Sequence, residues 1–121
     1  MEEECFWGLT LDKDNKKVTW DPEDYNCEGS NPDRGEQMLI VRQILLGQSA
    51  IKSQGELNII EVDTMGYKSD IKVPIAILKS GVQNSAFIDL LFPGRPVTFR
   101  LTEGNGPVHI QGKSFCWKRI D

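Results

Sequence analysis

The chain has 121 residues, with 18 acidic side chains, 14 basic ones and one histidine, for a formal net charge of −4. Its 39% hydrophobic and 26% charged residues are those of one folded domain, 1–121, rather than of a disordered or low-complexity chain. No apolar run nears the roughly 20 residues needed to span a bilayer.

The opening "MEEECFWG" lacks the basic and apolar regions of a secretory signal, so the chain reads as intracellular, with no membrane partner. Cys5, Cys27 and Cys116 are odd in number and widely spaced, which fits free thiols better than a disulfide framework.

Taken in order, the elements are strand-like. "CFWGLTL" (5–11) is followed by the polar "DKDNKK" and then "VTW" (18–20). "DPEDYNCEGSNPDRGE" (21–36) is rich in Pro, Gly, Asn and Asp and marks a long loop carrying Asp21, Glu23, Asp24, Glu28, Asp33 and Glu36. "QMLIVRQILLG" (37–47) has the length of a helix, but its β-branched residues and terminal glycine favour a strand. "ELNIIEVDT", "DIKVPIAILK" and "SAFIDLLF" follow, each bounded by turn residues. Pro74 inside the second of these predicts an edge strand or a bulge.

The last segment, "VTFRLTEGNGPVHIQGK" (97–113), alternates apolar and polar residues on both sides of Gly104, Asn105, Gly106 and Pro107. That pattern predicts a β-hairpin with one buried face. About eight short strands without helical periodicity predict an all-β sandwich, jelly roll or barrel.

Charge is uneven. Residues 1–37 hold eleven acids and four bases, a net −7, and the remainder is net +3. An acidic third argues against direct nucleic-acid binding, which needs a basic surface, and leaves room for a basic partner.

Catalytic, cofactor and metal residues are not assigned. His109, between Val108 and Ile110, belongs on an outer strand face, and one histidine with scattered cysteines matches no zinc pattern. Glu61 and Asp63 share a strand face, which fits a solvated surface better than an acid–base pair. No G-x-S-x-G, phosphate-loop or dinucleotide motif occurs. The aromatic residues are scattered rather than interleaved with arginines, so a stacking platform for single strands is disfavoured, while a carbohydrate-binding jelly roll stays open.

Several ordered motifs resemble the core domain of the nucleoplasmin and nucleophosmin histone chaperones. They are "FWGLTL", "LLGQSA", "LNIIEV", "KVPIAILK" and above all "PVTFRLTEGNGPVHIQGK", covering residues 6 to about 112. The resemblance implies an eight-stranded jelly-roll protomer, assembly into a ring-shaped homopentamer, a nuclear location, no cofactor, and binding of core histones as outer dimers or central tetramer. It makes Asp21, Glu23, Asp24, Glu28, Asp33 and Glu36 the candidate histone-binding loop. It matches Gly104–Pro107 to the family's glycine-serine-glycine-proline element, with Asn105 in place of serine.

Two departures stand out. "KSFCWKRID" follows Gly112 where the family carries an acidic tail and a basic import segment. The family's short Ala-Lys-Asp-Glu turn, linked to pairing of two pentamers, is here the longer "AIKSQGEL" without the central acid. Pentamer and decamer are both left as expectations. The competing readings are an N-terminal assembly domain of a nuclear prolyl isomerase and the carbohydrate-binding module.

Overall fold

The computed structural model describes residues 2–22, 36–66 and 68–117. Eight strands form along the chain: β1 (Glu2–Leu11), β2 (Lys17–Trp20), β3 (Glu36–Leu46), β4 (Leu57–Met65), β5 (Asp70–Lys79), β6 (Ser85–Pro93), β7 (Val97–Glu103) and β8 (Val108–Trp117). One short helix, α1 (Gln48–Lys52), lies between β3 and β4. The strands make two four-stranded antiparallel sheets, ordered β1-β8-β3-β6 and β2-β7-β4-β5. Two such sheets with this interleaved order are a jelly-roll sandwich, as the strand spacing and the resemblance predict.

Period-two patterning selects the inner faces. Asn58, Ile60 and Val62 of β4 and Val97, Phe99 and Leu101 of β7 point inward and meet Leu11, Leu39, Val41, Ile44 and Ile110 from the other sheet. An aromatic cluster joins the two layers. The Phe99 ring lies 5.7 Å from Trp7 and 6.0 Å, edge-on, from Phe92. Burying each such ring contributes about 1.5–3 kcal/mol, before the smaller gain from ring geometry.

Strand β3 explains its own ambiguity. A bulge between Val41 and Gln43 shifts the register against both neighbours, so the inward residues are Leu39 and Val41 and then Ile44 and Leu46. The phase break at Arg42 erases the alternation that would have marked a strand. The bulge has a companion in β8. A Cβ at Gly112, opposite Val41, would strike the Ile40 carbonyl oxygen. Only glycine lets the two backbones approach this closely.

Pro74 meets both expectations at once. β5 is an edge strand, and Ile75 is bulged out between the Glu61–Pro74 and Ile60–Ala76 pairs. Helix α1 lay outside the strand pattern, its five residues being too few for helical periodicity to register; it buries Ala50.

The expected hairpin across Gly104–Pro107 is corrected. β7 pairs with β2 and β4 in one sheet, whereas β8 pairs with β1 and β3 in the other. Alternation reports that each strand has one buried face, and both faces are indeed buried. It does not report which sheet the strand joins. The four residues carry the chain between layers about 10 Å apart instead of reversing it within one.

Candidate interaction surfaces

The acidic loop is anchored by described residues at both ends. β2 delivers Asp21, half-buried, just after Trp20, which pairs with Val97 at the start of β7. Glu36 opens β3 opposite Trp117, and the Gly94 N–H donates to the Gln37 carbonyl at 2.9 Å. Glu2, at the start of β1, is opposite the same Trp117, with Glu3 and Glu4 following along the strand. The glutamates that open the chain and the two ends of the acidic loop therefore lie at one end of the sandwich. The remaining candidates, Glu23, Asp24, Glu28 and Asp33, fall outside the described residues.

The opposite end holds the inter-sheet corner. Gly104 and Gly106 have φ of +92° and +64°. A Cβ on Gly106 would sit 2.6 Å from the Leu11 carbonyl oxygen, so space as well as backbone conformation demands glycine. The corner is held from β4 and the residue before it: Gly106 N–H donates to Asn58 Oδ1 at 2.9 Å and Asn105 N–H to Glu56 Oε1 at 2.7 Å. The Pro107 carbonyl accepts from Gly47 N–H at 2.8 Å, tying in the turn before α1. Sequence reasoning missed Glu56 and Asn58. The signal was available for Asn58, a polar residue in phase with buried Ile60 and Val62.

The outer faces of the two sheets differ. On the β2-β7-β4-β5 sheet, Arg100 bridges Glu61 at 3.3 Å and Asp63 at 3.8 Å, and the Thr19 and Thr98 hydroxyls are 2.8 Å apart. Glu61 and Asp63 thus share the outward face, engaged with a guanidinium. On the other sheet, the cross-strand rows read Phe6–Lys113–Ile40–Leu91 and Gly8–Gln111–Gln43–Phe87. Ion pairs Lys113–Glu4 at 2.7 Å and Arg42–Asp89 at 3.0 Å edge this surface. His109 faces outward as expected, with Nδ1 2.8 Å from the Thr10 hydroxyl. Among the described residues no cluster of three or more potential metal ligands occurs, and no helix is long and apolar enough to cross a membrane.

A family model described as Nucleoplasmin/nucleophosmin domain matches residues 4–118. The chain belongs to the nucleoplasmin/nucleophosmin family. Among nucleoplasmin relatives, it is similar to the nucleoplasmin-like protein of Drosophila melanogaster, at 39% identity over 112 residues. That match covers 93% of this chain and 66% of the relative. Across curated nucleoplasmin-family relatives the share of their own length that the chain spans runs from 28% to 66%.

The crystal structure of the Drosophila NLP-core, determined to give insight into pentamer formation and histone binding, superposes with a TM-score of 0.77 at 36% identity. It covers 98% of this chain and all of that one. The nucleoplasmin-like N-terminal domain of Drosophila FKBP39 shares the fold, with a TM-score of 0.50 at 15% identity, covering 98% of this chain and 92% of that domain.

Proposed function

We propose that this chain is the core of a histone chaperone: a homopentameric ring, nuclear in location, that takes up basic core histones at its acidic end. The observation that carries the reading is that Glu2 and Glu36 both lie opposite Trp117, with Asp21, after the Trp20–Val97 pair, at the same end of the sandwich. Membership of the nucleoplasmin family and likeness to a core studied for pentamer formation and histone binding supply the partner.

The work is electrostatic. Five copies of a segment carrying net −7 would give a ring about 35 negative charges from that segment. A field of that size speeds the encounter with a basic partner, and repeated weak contacts raise avidity without a single tight site. No bond is made or broken, so the function needs neither catalyst nor cofactor.

The test replaces Asp21, Glu23, Asp24 and Glu28 with Asn or Gln and measures binding of histone dimers by titration at several salt concentrations. Affinity should fall about tenfold or more, which corresponds to about 1.4 kcal/mol. Wild-type binding should weaken steeply as salt rises, because screening acts on exposed charge. Equal affinity of the neutralised and wild-type chains at about 0.15 M salt would remove this loop from the binding site.

A further inference from the structure

Of the chain's six asparagines, only Asn105 is followed by glycine. Asparagine is thermally labile because its side-chain amide carbon lies within reach of the next backbone nitrogen. Glycine, having no Cβ, gives that attack the least obstruction. Asn105 is also exposed, so water reaches its amide. Sequence and exposure together mark a place where the chain modifies itself.

The corner opposes that reaction. Ring closure needs the Gly106 nitrogen to turn onto Asn105 Cγ, which requires rotation about the Asn105 backbone. The peptide planes on both sides of Asn105 are pinned. Its own N–H donates to Glu56 Oε1 at 2.7 Å, and the Gly106 N–H donates to Asn58 Oδ1 at 2.9 Å. Asn58 is fully buried, and Gly104 packs against its Oδ1 where no Cβ would fit, so this acceptor has no room to swing away. On another side of Gly106, the Leu11 carbonyl oxygen lies 2.6 Å from the place a Cβ would take. The attacking nitrogen is thus engaged as a donor and walled in.

We propose that Asn105 is a deamidation site held in check by Asn58 and Glu56, and that opening of the inter-sheet corner releases it. In the step, a bond forms between Gly106 N and Asn105 Cγ and the Cγ–Nδ2 bond breaks. The Gly106 amide proton leaves with the departing nitrogen as ammonia. One water then opens the succinimide at either carbonyl, and no group is oxidised or reduced. The products are aspartate at 105 or an isoaspartyl link, in which the chain runs through the side-chain carbon. Either product places a new carboxylate close to Glu56, and the isoaspartyl form adds one atom to the backbone that crosses the corner. Like charges and a longer path both oppose re-forming the two hydrogen bonds. A chain whose corner has opened therefore keeps the mark.

The experiment incubates the full chain in heavy-oxygen water at mildly alkaline pH, native and in urea, and locates the incorporated label by mass spectrometry of its peptides. In urea Asn105 should convert fastest of the six asparagines. In native buffer it should convert at least about tenfold more slowly, because two hydrogen bonds must open first. Asn58→Ala should raise the native rate about threefold or more and leave the rate in urea unchanged.

Should Asn58→Ala fail to fold, Glu56→Ala, which releases only the Asn105 N–H, takes its place, and the wild-type ratio needs no variant. Converted wild type, separated by its added charge, should melt at least about 4 °C below the unconverted chain. A wild type that converts equally fast native and in urea overturns the inference. So does slow conversion of Asn105 in urea, a variant with an unchanged native rate, or a converted chain with the parent Tm.

Discussion

Replacing Gly106 with alanine tests the inter-sheet corner with a single methyl group. Two costs add. Holding a residue with a Cβ at φ +64° costs about 1–2 kcal/mol relative to glycine. The new methyl would also lie 2.6 Å from the Leu11 carbonyl oxygen, 3.1 Å from Val108 N and 3.2 Å from Asp12 Cα. To reach ordinary contact the β1 end must yield by about 0.8 Å, and forcing a packed interior in this way costs about 1–3 kcal/mol. The expected loss is therefore about 2–5 kcal/mol. With an unfolding entropy near 2.1 cal/mol/K per residue, a chain of this length should melt about 8–20 °C lower. The assay is thermal unfolding followed by circular dichroism at one fixed protein concentration, since association also moves Tm. Asn105→Ser is the control: Asn105 is exposed and is held through its backbone N–H, so its Tm should stay within about 2 °C. A Gly106→Ala protein that melts with the wild type would refute the close approach to Leu11.

The neighbouring structure gives two further expectations. Gly112→Ala places a methyl against the Ile40 carbonyl in the middle of a sheet and should cost about 2–4 kcal/mol, read as a lower denaturant midpoint with unchanged slope. Asn58→Ala leaves the Gly106 N–H without its acceptor and should cost about 1–3 kcal/mol by the same measurement; a loss below about 0.5 kcal/mol would mean that Glu56 and Gly47 hold the corner without it.

What could be read from the sequence followed from local periodicity. Val97, Phe99 and Leu101, like Val108 and Ile110, announced strands with one buried face, and Pro74 announced an edge with a bulge. Partner choice between strands was not legible, because alternation is identical whether the next strand pairs in the same sheet or crosses to the other. That is why β7 and β8 read as a hairpin. The strand character of residues 37–47 was blurred by one extra residue, Arg42, whose bulge shifts the phase by one. The acidic segment was legible as composition, and the nearness of Glu36 to Glu2 follows only from β1 and β3 both pairing with β8 at Trp117. The exposure of Phe87 and Leu91 was hidden for the same reason: β3 and β6 are apolar at both parities, and only the fold distinguishes the two faces.

Strand β5 also bears on how copies of this chain avoid joining wrongly. An edge strand normally offers a row of free donors and acceptors on which a second chain could zip its own backbone, the first step toward fibres. Pro74 carries no N–H, and the bulge at Ile75 breaks the even spacing along the strand. A second strand approaching β5 meets an interrupted ladder. The fold thus blunts its own template, so that copies of this chain can be held at high local concentration without seeding an open-ended polymer.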